Sequence, residues 1–309
     1  MRTSFSLELG MPHLGRNNLS ESALFKAIGN DRWKQIEERG GVPTSLIRDD
    51  ADARLYATFF FLEINYTPDH PIAAHGENDT VEYLTDVTHY GKVYLDGKYR
   101  LASNPELWIR ASNVFIYQER GPSKLSMSVP DNMSFEHIPE LESQPDSLML
   151  CRQARPKGAF LEREADDVDL YEGEREYVYQ LDEDRDMNGA GLVYFANFLA
   201  FLERAERGVL VDLRHRIPSE TLDARSTYRR RIGYYGNAQA TDRLHVFVKS
   251  RARALRGASG QPLLDLGFDY RIRRESDDKE VLISSSRKVS PMEPGSDTEQ
   301  WFQAMTRQD

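Results

Sequence analysis

Between residues 192 and 213 the chain reads LVYFANFLAFLERAERGVLVDL, a stretch that is apolar around most of a helix's circumference. Phe195, Phe198, Leu199, Leu202 and Ala205 fall at three-and-four spacing, so the segment is predicted as one long helix. Such a helix must be enclosed, and the text that follows supplies an enclosure. RSTYRRRIGYY, DRLHVFVKSRARAL, LLDLGFDYRIRR and EVLISSSRKV read as long strands joined by the turns GNAQA, RGASGQ and ESDDK. Leu244, Val246 and Val248 alternate as a half-buried strand requires. Four twisted antiparallel strands can curl around a single helix.

The same order of elements occurs earlier. SFSLELGMP is predicted as a strand, HLGRNN as a turn and LSESALFKAIGNDRWKQIEERGG as a helix. Ala23, Leu24, Ala27, Ile28 and Trp33 mark the apolar side of that helix, and Gly40 with Gly41 closes it. LYATFFFLEINY, TVEYLTDVTHY, KVYLDGKYRL and ELWIRASNVFIYQE then read as its strands. In the second half REYVYQL and DEDRDMNGAG supply the matching first strand and turn. The halves read as diverged copies of one α+β unit. Residues 129–160 carry four prolines and no sustained period, which places the boundary there, with units at 1–150 and 151–309.

Composition narrows the function classes. With 39% hydrophobic and 29% charged residues the chain has the makeup of a packed globular protein, and a net charge of −10 argues against a nucleic-acid partner. No run approaches the ~18 apolar residues of a spanning helix, and MRTSFSLELG lacks the apolar stretch of a signal peptide, so a cytoplasmic protein without membrane partners is expected. The single cysteine, Cys151, excludes an intramolecular disulfide and a Cys-based zinc cluster, and is a weak nucleophile candidate. Neither HExxH, a P-loop nor GxSxG occurs, and seven scattered histidines lack ligand spacing, so no metal is expected. The acidic run EADDVD at 164–169 reads as a solvated loop.

DEDRDMNGAGLVYFANFLAFLERAER resembles, over about 25 residues, the signature of hot-dog acyl-CoA thioesterases. In those enzymes an acidic turn and a glycine pair precede VVY-x-AN-x-x-x-F-x-ERAR at the start of the central helix. The resemblance implies a double hot-dog fold: two tandem units, each a long central helix wrapped by an antiparallel sheet. Free backbone amides around Gly189 to Leu192 can donate to a thioester carbonyl. In this register Asn188 stands where the usual catalytic aspartate would be, and Asp186 falls two residues earlier. An amide cannot take a proton from water, which disfavours simple hydrolysis; it can hydrogen-bond a thioester oxygen, or it can merely shape the turn. In the first half Asn17 and Asn18 precede a helix for which Ser20 is the natural cap.

GMPHLGRNNL, DMNGAGLVYFANF and YYGNAQ together are similar to a narrower group, the LnmK-like bifunctional acyltransferase/decarboxylase family of leinamycin-type polyketide biosynthesis. The resemblance implies a malonyl-type group, methylmalonyl foremost, taken from coenzyme A, decarboxylated and loaded on a phosphopantetheinylated acyl carrier protein. It requires no cofactor beyond the coenzyme A thioester. By the same resemblance Asn188 and Asn17 are catalytic in a pocket between the halves, and Gly189, Gly191, Leu192, Phe60 and Asn237 contact substrate. The family's acyl-accepting tyrosine points to Tyr66, with Tyr56 behind it, although Phe59–Phe61 occupy the middle of that strand. Decarboxylation suits amides and glycines, because the enolate needs hydrogen-bond donors more than a base. Arg229, Arg230, Arg231, Arg251, Arg253 and Arg256 can meet coenzyme A phosphates or an acidic carrier, or can form a solvated strand face. Two alternatives stay open: a thioesterase or dehydratase using Asp186 or His13, and a non-catalytic acyl-thioester binder. A homodimer is also open.

Overall fold

The computed structural model describes residues 3–119, 124–213, 217 and 219–306. The first unit runs β1 (Ser4–Glu8), α1 (Glu21–Gly40), β2 (Tyr56–Asn65), β3 (Thr80–Tyr90), β4 (Tyr94–Leu101) and β5 (Asn104–Gln118). After α2 (Asp146–Lys157) the second unit runs β6 (Arg175–Gln180), α3 (Phe198–Val211), β7 (Ser226–Tyr234), β8 (Arg243–Arg256), β9 (Pro262–Arg274) and β10 (Lys279–Pro291). Helix α4 (Asp297–Thr306) follows and buries Phe302 against the core.

All these strands belong to one sheet in the order β1-β3-β4-β5-β2-β7-β10-β9-β8-β6. Within each unit the order is the same: first strand, third, fourth, fifth, second. The second strands meet antiparallel at the centre, from Phe61 opposite Gly233 to Asn65 opposite Arg229. This is the pseudo-twofold arrangement of two copies of one unit.

Helices α1 and α3 lie side by side on one face, and their apolar residues join those of both units in a single core. Helix α1 starts where Ser20 accepts a hydrogen bond from the Ala23 amide at 3.1 Å, and it stops at Gly41 with φ of 70°. A side chain at Gly29 would meet the Phe195 ring 2.8 Å away, so the glycine lets the second unit's turn approach α1. Helix α3 begins later than the apolar pattern predicts. Val193 bridges back to Met187, Tyr194 is extended, and a 3-10 turn at Phe195–Asn197 leads into the helix.

The stretch around the unit boundary, predicted as irregular, contains α2, which covers the sheet's other face over Phe60, Phe61 and Phe160. Only Ser147, Cys151 and Ala154 of this helix are buried, too few to give a clear period, and Pro156 sits in its last turn. Burial pushes the Cys151 thiol up to about 12, which removes it as a nucleophile. No described helix is long and apolar enough to cross a membrane.

Candidate functional site

The central ladder ends at Phe61 and Gly233, and beyond it β2 and β7 part. Tyr56–Phe59 remain paired with β5, whereas the Tyr235 and Gly236 amides follow β10 by donating to the Val281 carbonyl. The gap holds a cavity of about 360 Å³. Phe60, Val114, Ile116 and Tyr235 line it from the α2 side; Trp33, Phe59, Phe195, Phe198 and Tyr234 line it from the helix side. The cavity therefore crosses the sheet.

One wall of it is built by the turn before α3. The Asn188 Oδ1 accepts from the amides of Ala190 at 2.9 Å and Leu192 at 3.2 Å, while the Asn188 amide donates to the Leu192 carbonyl at 2.7 Å. Gly191 takes φ of 69°, a left-handed conformation that this tight loop requires. Asn237 clips the next residue, its Oδ1 accepting from the Val193 amide at 2.9 Å and its Nδ2 donating to the Val193 carbonyl at 3.2 Å. The Asn197 amide nitrogen donates to the carbonyls of Arg185 and Asp186, and the Tyr234 hydroxyl donates to the Phe195 carbonyl at 3.0 Å.

Of the residues singled out in the sequence, Asn188, Leu192, Phe60 and Asn237 line this one cavity, together with Tyr56. Gly189 and Gly191 lie in the same turn, both exposed. The other two candidates lie elsewhere. Asn17 lines a second cavity, where its Nδ2 donates to the carbonyls of Asp223 and Arg225. Tyr66 lines a third on the α2 side, is 2% exposed, and has its hydroxyl 2.9 Å from that of Tyr83. Burial pushes the Tyr66 phenol up to about 12, away from what a nucleophile needs. Asp186 is buried beneath the turn, where it accepts from the Asp182 amide at 2.9 Å and pairs with Arg185 at 3.0 Å. The His13 Nδ1 accepts from the Gly10 amide in the first unit.

Trp33, Phe59, Tyr234 and Arg54 also line the cavity without any mark in the sequence, and Phe195, read there as helix core, faces it too. Aromatics at core spacing carry no separate signal for a cavity. The arginine group divides. Arg230 is fully buried with Glu21, Arg231 pairs with Glu63 at 2.7 Å, Arg251 with Asp167 at 3.0 Å, and Arg253 with Asp265 at 2.8 Å. Arg229 and Arg256 are exposed.

No aspartate, glutamate or histidine lines the 360 Å³ cavity among the described residues. Burial raises the phenols of Tyr194, Tyr234 and Tyr235 above their ordinary value, so they stay protonated. The cation on its wall is Arg54, whose guanidinium sits 4.8 Å from the centre of the Tyr56 ring. Such a chamber can hold an acyl group and donate hydrogen bonds; it offers no base to activate water.

No family model and no curated protein matches this chain. Solved structures do. A protein provisionally named an oleoyl thioesterase, from Lactobacillus plantarum, superposes with a TM-score of 0.60 at 12% identity, covering 94% of this chain and 97% of its own. An acyl-ACP thioesterase from Bacteroides thetaiotaomicron gives 0.55 at 12% identity, over 92% and 96%. A 12:0-ACP thioesterase from Umbellularia californica gives 0.51 at 11% identity, over 94% of each. At such identities the likeness establishes the fold: the chain is an α+β double hot-dog.

Proposed function

We propose that this chain is an enzyme acting on acyl thioesters, and more narrowly a decarboxylating acyltransferase that moves a malonyl-type acyl group from coenzyme A to an acyl carrier protein in polyketide-type biosynthesis. The observation that carries the reading is the cavity across the sheet, walled by the Asn188 turn and Asn237 and lined, among the described residues, by no carboxylate or histidine. The thioesterase names of the superposing structures support the substrate class. The absence of a base in the cavity favours transfer over hydrolysis, and methylmalonyl-CoA is the donor we favour.

In this reading the acyl group enters between the parted strands, with the thioester beside Asn188, Gly191 and Leu192. Asn188 uses its oxygen on its own turn, which leaves Nδ2 as a donor. Arg54 meets the substrate carboxylate during binding. Rotation of that carboxylate out of the thioester plane lets the carbon–carbon bond break. Carbon dioxide leaves, and the electron pair forms an enolate held by the Asn188 Nδ2, because the Ala190, Gly191 and Leu192 amides expected from the sequence to be free donors are taken up by Asn188 itself. A solvent proton on the enolate carbon gives the shortened acyl thioester; the carrier's phosphopantetheine sulfur then bonds to its carbonyl carbon, the carbon–sulfur bond to coenzyme A breaks, and the thiol proton passes to the departing thiolate. No cofactor beyond the thioester takes part, and the protein acts in the cytoplasm with units bounded at 1–150 and 151–309.

Intact-mass analysis of a holo carrier protein incubated with the enzyme and methylmalonyl-CoA, or malonyl-CoA, tests this. A carrier heavier by propionyl or acetyl is expected. Free acid with an unloaded carrier would make the protein a hydrolase, and no turnover of either ester would reduce it to a binding role.

A further inference from the structure

On the α2 side the shared sheet carries a row of arginines across the junction of the units. In register on neighbouring strands stand Asn65 of β2, Arg229 of β7, Arg287 of β10, Gly267 of β9 and Arg251 of β8. Residues opposite one another in an antiparallel ladder share a face. Gly267 leaves room in the row, because a side chain there would meet the Arg251 Cγ at 2.9 Å and the Arg287 Nη1 at 3.1 Å. The third cavity, a groove of about 780 Å³, opens on this face, and it takes Lys157 from α2, Arg229 from β7 and Arg256 from β8.

Most charges of the groove are spent internally. Arg231, Arg253 and Arg287 are held by Glu63, Asp265 and Asp167. Asp69 accepts from the Ala258 amide at 2.7 Å and from Gln261 at 3.2 Å, and Glu164 lies 3.5 Å from Arg253. Arg229 and Arg256 remain. Both are exposed, and among the described residues neither forms an ion pair; Arg256 donates to the Gly260 carbonyl at 3.2 Å, and the Arg229 guanidinium donates to no group. Lys157 adds a third cation, with Glu162 3.7 Å away and both side chains in solvent. Leu150, Ala154, Leu161 and Leu255 give the same lining apolar surface. The rings of Tyr66, Tyr228 and Phe160 are buried, so none offers an open face on which a nucleotide base could stack.

Unspent cations beside apolar side chains suit a partner that is acidic and amphipathic. A chain of net charge −10 repels an acidic protein over most of its surface, so these arginines select where such a partner settles. Helix α2 links the groove to the cross-sheet cavity: Leu150, Gln153 and Ala154 line the groove, while Cys151 packs with Phe60 and its carbonyl accepts from the Tyr235 hydroxyl at 2.8 Å. Phe60 and Tyr235 line the cavity.

We propose that this groove docks an acidic, amphipathic helix of a partner protein, and that the partner is the carrier of the reading above. The partner's identity rests on that reading; the charge and lining of the groove do not.

The test titrates the full chain calorimetrically with the apo carrier, which lacks the phosphopantetheine arm and so reports docking without chemistry. Binding should weaken as salt is raised. Arg229→Glu with Arg256→Glu should weaken it by about tenfold or more. Lys26→Glu with Lys34→Glu, the same change of charge at exposed positions of α1, should leave it at the wild-type value. In the arginine variant the KM for the holo carrier should rise in step, while carbon dioxide release from methylmalonyl-CoA alone and the thermal midpoint stay unchanged. Four results would each overturn the proposal: no binding of the apo carrier, full affinity in the arginine variant, an equal loss in the lysine variant, or displacement of the carrier by adenosine 3′,5′-bisphosphate, which would give the arginines to a nucleotide. Loading of the carrier at the wild-type KM in the arginine variant would remove the groove and keep the transferase reading. Docking that depends on Arg229 and Arg256 without any loading would keep the groove and remove the transferase reading.

Discussion

Asn188 shows how one atom separates two chemistries. Its Oδ1 already accepts from the Ala190 and Leu192 amides, and a carboxylate oxygen can accept from the same pair, so Asn188→Asp should keep the turn. That variant would place a base at the cavity for the first time. Thiol release from an acyl-CoA should increase by about 100-fold, the low end of what a positioned base contributes. An unchanged rate would show that this position does not face the attacking water. Asn237 works through the backbone instead. Asn237→Ala leaves the Val193 amide and carbonyl without their partners, at a cost of about 1–3 kcal/mol, readable as a lower urea midpoint.

At the level of elements, one group of buried charges lies where α1 and α3 meet β7, β9 and β10, and it ties the units together. Arg230 on β7 is fully buried and held by Glu21, the first residue of α1. Glu21→Ala would leave that guanidinium uncompensated, with an expected loss of about 3–5 kcal/mol in equilibrium unfolding. Glu206 on α3 takes hydrogen bonds from Arg225 and, at 2.9 Å, from the Tyr270 hydroxyl. Burial alone would raise its carboxyl, yet Lys288 and Arg225 hold it down to about 2. A folded-state value below the unfolded 4.5 stabilises the protein above that pH, and the contribution is lost as pH falls from about 4.5 to 2. Unfolding midpoints measured across that range should drop in the wild type and drop less in Glu206→Gln.

On the scale of the whole molecule, the sheet and the core are shared. The central pairing of β2 with β7 and the contact of α1 with α3 join the two units, and one apolar cluster draws on both. Residues 1–150 and 151–309 expressed separately should each show little cooperative unfolding by circular dichroism, and co-expression should restore it. Two stable, independent halves would contradict a common core.

The sequence alone determined the repeated unit, the long strands and the enclosed helix, because local period and turn chemistry act over a few residues and survive into the fold. Thr80–Tyr90 forms the strand read from TVEYLTDVTHY, and Ser20 caps α1 as its type and place require. Resemblance to a known family also marked Asn188, Leu192 and Asn237, which line one cavity. Tertiary structure alone decided that Asn17 and Tyr66 sit in other cavities, that four of the six arginines are spent on internal ion pairs, and that α2 covers the sheet at Phe60. The reason is physical: a cavity exists where β2 and β7 stop pairing, and the partners of a buried charge are set by packing between residues up to 209 positions apart, as for Arg230 and Glu21. No local pattern encodes either.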